Sequence, residues 1–419
     1  MINENEITVL DMFSGAGGLS EGFFRNGFKF VAHIEKDKYA SKTLETRALY
    51  HALKNNNMLD TYYGYLKGEL SRNQLFENTE EFSNEISSSI FNIEISKKTE
   101  KLLVEQIQER MINHDVPKID VMIGGPPCQA YSFVGRSRDP DGMINDPRNY
   151  LYHHYLSFLK AFKPDFFIFE NVPGIFTAKN GTVFNDMIKS IKKMGYVTEN
   201  KILDAADFFV LQKRKRVILM GWISGNGYKY PDFTRAEHSF FVENLLEDLP
   251  SLHPGEGSEG VQEYIKPPSQ YLIESGIRDE KDVLIQHHAR KHNEQDREIY
   301  RHTIKIWGKE KRRIKYSELP EKLKTHENQE SFEDRFKVVA GDHSCAHTVV
   351  AHISKDGHYY IHPDINQARS LTVREVARIQ SFPDNYKFEG PRTSRYAQIG
   401  NAVPPLMAEA ISMEIRKMF

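Results

Sequence analysis

The chain has 419 residues, 39% hydrophobic and 27% charged, with a formal net charge of -2. This composition excludes a disordered low-complexity chain and a uniformly basic nucleic-acid coat, and no apolar run approaches the roughly 18 residues that span a bilayer. Two cysteines cannot build a disulfide framework, and the amino terminus MINENEITVL carries acids where a secretory leader carries bases, so a reducing, cytoplasmic setting with no membrane association is expected.

In chain order, short apolar runs alternate with helix-length stretches: ITVLDMF, FKFVAHIE, SIFNIEI, IDVMIGG, DFFIFENV, YVTENKIL and RVILMGW. This rhythm predicts an α/β fold with a doubly wound sheet. Residues 51–90 are polar with helical spacing and read as an inserted helical segment. Past Trp222, glycine and proline punctuation replaces the alternation, which places a domain boundary near residue 225.

From Gln286 to Lys315, ten basic residues stand against four acidic ones, with His287, His288, His292, His302, Tyr300 and Trp307 interleaved. Such a stretch suits phosphate and base contacts, although a solvated helix face would have the same composition. The closing VPPLMAEAISMEIRKMF reads as a helix whose start is marked by its prolines.

Two stretches invite chemistry. In DMFSGAGGLSEGF, Gly15, Gly17 and Gly18 allow a tight turn and close approach of a ligand before a helix. Glu35 ends the next strand about 20 residues on, where an acid can accept ribose hydroxyls. Strand, turn, helix, strand and acid fit an adenosyl ligand; a plain turn with a surface glutamate fits too. In GGPPCQAYSF, Cys128 follows a proline pair that would stiffen its loop. A thiol at that place is either a nucleophile, which needs ionisation, or a small packing group.

Read in order, DMFSGAGGLS with Glu35, GGPPCQAYS, ENV at Glu170 to Val172, QKRKR at Gln212 to Arg216, RSLTVREVARIQSFPD and QIGNAVPP resemble the DNA cytosine-5 methyltransferase family, in its bacterial or phage form associated with restriction-modification. The resemblance covers nearly the whole chain. It implies a Rossmann-like S-adenosylmethionine-dependent methyltransferase sheet, formed by residues 1–225 with 392–419, and a smaller target-recognition domain, residues 226–391. The implied reaction methylates carbon 5 of a cytosine flipped out of double-stranded DNA.

In this reading Cys128 adds to carbon 6 as a thiolate, and Glu170, its carboxyl protonated by burial, assists at N3. Asn171 orders the loop. Arg216, ahead of Arg214, orients the base and the active-site loop; on an extended strand the two arginines share a face. The co-substrate S-adenosylmethionine is held by Phe13, Gly15, Gly17, Gly18, Glu35, Pro127 and Asn401, with Glu94 in FNIEIS nearest to the adenine amino group. Asn401 requires the final helix to return to the first domain. Residues 132–148 would form a lid over the flipped base, the basic stretch would contact DNA, and Cys345 is a bystander. No metal is expected.

The resemblance further implies a monomer, bound to the nucleoid through DNA, with a cognate restriction endonuclease as its functional partner. The nearest rival is a transfer-RNA cytosine-5 methyltransferase of the same fold, against which the long segment after Trp222 speaks. A catalytically dead DNA-binding regulator should have lost Cys128 or Glu170, and both are present. A dinucleotide-dependent oxidoreductase leaves PPCQ, ENV and QKRKR unexplained.

Overall fold

The computed structural model describes residues 6–127, 151–324 and 333–419. Its centre is a seven-stranded sheet formed by β1 (Thr8–Met12), β2 (Lys29–Ile34), β3 (Ile90–Phe91), β4 (Val121–Gly124), β5 (Phe166–Asn171), β6 (Tyr196–Asp204) and β7 (Lys215–Ile223). The spatial order is β3-β2-β1-β4-β5-β7-β6. The first five of these strands are parallel, and β7 runs antiparallel to both β5 and β6. TVLDM and VMIG are buried along their whole length, as continuous apolar strands must be when helices cover both faces of a sheet. The third strand is shorter than its apolar run suggests, pairing only through Ile90 and Phe91.

The chain runs outward from β1 to β3 and then returns to lay β4 on the other side of β1. This reversal leaves a crevice beyond the carboxyl ends of β1 and β4, where ligands of open α/β sheets bind. The glycine turn leaves from β1 and the GGPP loop from β4. Sequence-distant chemistry is thereby placed at one end of the sheet.

Helix α1 (Gly18–Arg25) follows the turn and α2 (Lys38–Asn55) follows β2, capped by the Asp37 carboxylate on the Tyr39 and Ala40 amides at 2.9 Å. The polar segment after it is built of three helices, α3 (Leu59–Lys67), α4 (Arg72–Glu77) and α5 (Glu80–Ser89). They form a small core of their own with Leu49, Tyr50 and Leu53 of α2, and Ile285 from the segment after Trp222 joins it. Helices α6 (Glu100–Asn113), α7 (Leu151–Phe162) and α8 (Thr182–Lys193) contribute to the core on one face of the sheet.

Beyond Trp222 come α9 (Gln270–Glu274), α10 (Glu294–Glu310) and α11 (Val373–Ile379), joined by long irregular stretches. Here the structure revises the reading of the basic stretch. His287 and Tyr300 are fully buried, so these two rings are interior groups rather than base contacts, and half-buried His292 bonds the Ser370 hydroxyl at 3.0 Å. Arg297 and Arg301 both pair with Glu294, Lys311 pairs with Asp342, and Arg312 pairs with Glu310 and Glu318. Of these partners only Asp342 and Glu318 come from outside the stretch, so most of its positive excess remains.

In the RSLTVREVARIQSFPD segment Arg369, Arg374 and Arg378 are all fully buried. Arg369 donates two bonds of 2.7 Å to Glu375, and Arg378 binds both Asp384 and Asp248. Buried charges persist only when paired in this way. The chain then returns through α12 (Arg392–Asn401) and α13 (Pro405–Arg416) to the first strands. α13 lies so close to α1 that a Cβ at Gly22 would be 2.2 Å from the Ala408 carbonyl carbon. No described helix is long and apolar enough to cross a membrane.

Candidate active site

The turn after β1 alternates left-handed residues, with φ of 56° at Phe13, 57° at Gly15 and 85° at Gly17. Gly17 is constrained twice: its φ suits glycine, and a Cβ there would meet Leu44 Cδ2 at 2.8 Å and Tyr386 Oη at 3.0 Å. At Gly18 an added Cβ would be 2.3 Å from the Val403 carbonyl oxygen, so the GNAVPP segment packs directly on the turn. Nothing lies within 4 Å of a Cβ built at Gly15. One side of the turn is closed by protein and the other is open.

The Gly15 amide donates to Glu35 Oε2 at 2.8 Å, and the Asp37 amide donates to Oε1 at 2.7 Å. Burial pushes the Glu35 pKa up, opposed by these two amides. Asn92 donates from Nδ2 to the Glu35 carbonyl at 2.9 Å and so ties the end of β3 to this acid, a contact with no motif to announce it. Glu94 lies farther out, exposed, in an ion pair of 3.0 Å with Lys36. Asn401 is the exposed last residue of α12, immediately before the Ala402 and Val403 that cover Gly18. Phe13, Gly15, Gly17, Gly18, Glu35 and the 401–403 segment thus converge, with Glu94 on the periphery.

At the neighbouring strand end, Glu170 of β5 faces Arg216 of β7, Nε to Oε1 at 2.8 Å. The antiparallel pairing of β5 with β7 sets Asn171 opposite Val217 and so brings the arginine beside the acid. A Cβ at Gly125 would be 2.6 Å from Glu170 Oε2, so the carboxylate sits against the backbone of the GGPP loop. Asn171 donates from Nδ2 to the Pro126 carbonyl at 3.3 Å and accepts from the Val172 amide at 2.9 Å. ENV and GGPP are in contact. Pro127 is exposed at the edge of this site, whereas Cys128 and the 132–148 stretch lie outside the described residues.

Arg214 has a different environment from Arg216. It is buried, donating to the Val349 carbonyl at 2.6 Å and the Gly400 carbonyl at 3.1 Å, and burial together with the Arg216 charge lowers its pKa. Gln212 extends the same seam through Gln380 Oε1 at 2.8 Å and the Val349 amide at 2.7 Å. Cys345 is half-buried, and burial raises the pKa of its thiol. Among the described residues no group of three His, Cys, Asp or Glu side chains could hold a metal ion.

A model of the C-5 cytosine-specific DNA methylase family matches residues 7–63 and 71–417. The chain belongs to this family. It is 44% identical to a type II methyltransferase of Bacillus paralicheniformis, M.Bpa9945I, over 97% of this chain and 98% of that one. It is 30% identical to the type II methyltransferase M.DdeI of Desulfomicrobium norvegicum, over 99% of this chain and 89% of that one. In fold it is similar to a candidate DNA modification methyltransferase encoded within an E. coli prophage, with a TM-score of 0.66 at 22% identity and 99% of both chains covered. The protein is a DNA cytosine-5 methyltransferase that uses S-adenosylmethionine, and its sheet is of the corresponding Rossmann-like class.

Proposed function

We propose that the crevice at the ends of β1, β4 and β5 carries out sequence-specific methylation of cytosine carbon 5 in double-stranded DNA. The observation that carries the reading is the contact of Glu170 with both Arg216 and the GGPP loop, beside the glycine turn. That contact sets an acid and an arginine together at the mouth of the crevice.

The residues at the turn fit S-adenosylmethionine: an open glycine backbone, an adjacent aromatic ring at Phe13 and a carboxylate at Glu35 with the ribose hydroxyls as its partners. Phe13, Gly15, Gly17, Gly18, Glu35, Pro127 and Asn401 would hold it, with Glu94 the outermost candidate. When bound it supplies an electrophilic methyl group on a sulfonium. The chain's own residues make the cytosine receptive. The Cys128 thiolate adds to carbon 6 of the flipped base, which turns carbon 5 into an enamine-like nucleophile. Glu170 donates at N3 as charge develops on the ring, and Arg216 fixes that carboxyl and the base edge. Arg214 supports β7 at the seam with Val349 and Gly400. After methyl transfer, loss of the carbon 5 proton and expulsion of the Cys128 thiolate restore the aromatic ring.

Residues 226–391 serve target recognition. The type II methyltransferases among the relatives support a protective role beside a cognate restriction endonuclease. In this reading the enzyme works as a cytoplasmic monomer on nucleoid DNA. The test is transfer of labelled methyl from S-adenosylmethionine to mixed DNA and transfer RNA, followed by base-resolution mapping. Label on carbon 5 within one short DNA sequence, absent with Cys128→Ala, is expected. Label on RNA alone would overturn the substrate, and full activity of Cys128→Ala would overturn the nucleophile.

A further inference from the structure

The hydroxyl of Tyr386 donates to the carbonyl of Ala16, which lies between the two left-handed glycines of the turn after β1. Tyr386 is fully buried, its ring packed on Phe382 at 4.8 Å and Phe388 at 5.1 Å between centroids. The Arg47 guanidinium sits 4.7 Å over the same ring. Arg47 also grips Glu21 on α1 at 2.7 and 2.6 Å, and donates to Asn385 Oδ1 at 2.8 Å.

The segment that carries Tyr386 is anchored elsewhere. Asp384 is held by Arg378, whose other carboxylate partner is Asp248. The Tyr386 carbonyl accepts from Arg374 at 3.2 Å. A rigid buried ionic cluster beyond Trp222 therefore ends in one hydroxyl on the backbone of the glycine turn.

We propose that Tyr386 is a positioning residue for S-adenosylmethionine: its hydroxyl fixes the Ala16 carbonyl and thereby presets the glycine turn in its binding conformation. The inference rests on the reading of this turn as the S-adenosylmethionine site. With glycine on either side, the peptide units around Ala16 have little intrinsic preference, and their orientation must come from outside the turn. A turn released from that bond populates other conformers, and binding must then reorder it, which weakens apparent affinity by the lost fraction of competent molecules. Bound co-substrate reimposes the conformation, so turnover at saturation is spared.

Tyr386→Phe removes the hydroxyl and keeps the ring. Tyr396→Phe deletes a comparable buried hydroxyl, bonded at 2.7 Å to the Leu371 carbonyl and away from the turn. Glu35→Gln reports whether the turn is the binding site at all. Calorimetric Kd for S-adenosylmethionine, KM for each substrate, kcat and Tm are measured on the full chain. For Tyr386→Phe, Kd and KM for S-adenosylmethionine should rise about five- to tenfold, the scale of one buried hydrogen bond, while kcat and the KM for DNA stay within about twofold. Tyr396→Phe should leave that Kd unchanged even where its Tm falls equally. An unchanged Kd in Tyr386→Phe, with Glu35→Gln weakened, would overturn the inference alone, as would an equal rise in Tyr396→Phe. Unchanged affinity in Glu35→Gln would overturn the reading of the turn itself.

Discussion

An alanine at Gly125 would place its Cβ 2.6 Å from Glu170 Oε2, 3.3 Å from the Glu170 carbonyl oxygen and 3.6 Å from Glu170 Cβ. Gly125 is not among the residues of positive φ, so the backbone accepts alanine and the carboxylate must move. Restoring ordinary van der Waals contact takes a retreat of about 0.8 Å, enough to break the 2.8 Å bond to Arg216 Nε. A charge-assisted bond of this kind is worth about 1.5–3 kcal/mol, which corresponds to roughly a 10- to 100-fold loss in rate. Gly125→Ala should therefore lower kcat by that factor, with the Kd for S-adenosylmethionine unchanged and Tm within about 2 °C. Steady-state methyl transfer and thermal melting check both halves. In a Glu170→Gln background the same substitution should add little, because both changes act on one group. Activity within twofold of wild type, or an undiminished effect in the Glu170→Gln background, would refute the placement of that carboxylate as the cause.

Arg216→Lys should keep the fold and lower kcat about 10- to 100-fold, since an ammonium cannot reproduce the guanidinium contact with Glu170; Arg214→Met should instead lower Tm, readable by calorimetry, because it cuts the seam to Val349 and Gly400. Glu375→Gln leaves fully buried Arg369 without its carboxylate and should cost about 3–5 kcal/mol in urea unfolding. Burial, with the neighbouring Arg369 charge, lowers the His362 pKa to about 3, so the folded chain keeps this ring neutral while the unfolded chain takes up a proton near pH 6.5. The contribution is complete above pH 6.5 and is lost as the pH falls from there toward 3, at up to about 1.4 kcal/mol per unit, and His362→Asn should flatten that slope in melts at pH 7.5, 6.5 and 5.5.

The parallel half of the sheet is legible because TVLDM, VMIG and FFIFEN are apolar runs bounded by glycine or proline, and the turn glycines announce themselves. The antiparallel insertion of β7 between β5 and β6 leaves no local mark, yet it is what delivers Arg216 to Glu170. Residue type also misleads where charge is buried. Arg369, Arg374 and Arg378 are interior, and part of what pairs them, Asp248 for Arg378 and the Ile285 carbonyl for Arg374, comes from distant places in the chain. His287 and Tyr300 read as nucleic-acid contacts and are packing groups for the same reason. Tyr386 carries no signal in sequence, since its partner is a backbone carbonyl 370 residues away.

The proposed mechanism requires a covalent bond between the Cys128 sulfur and carbon 6 of the target cytosine. DNA carrying 5-fluorocytosine at the methylated position, incubated with the full chain and S-adenosylmethionine, cannot lose a proton from carbon 5, so the adduct should persist. Proteolysis and mass spectrometry should then find the cytosine on the Cys128 peptide, and find no adduct with Cys128→Ala. An adduct on another residue, or methylation of cytosine without any adduct, would contradict the account.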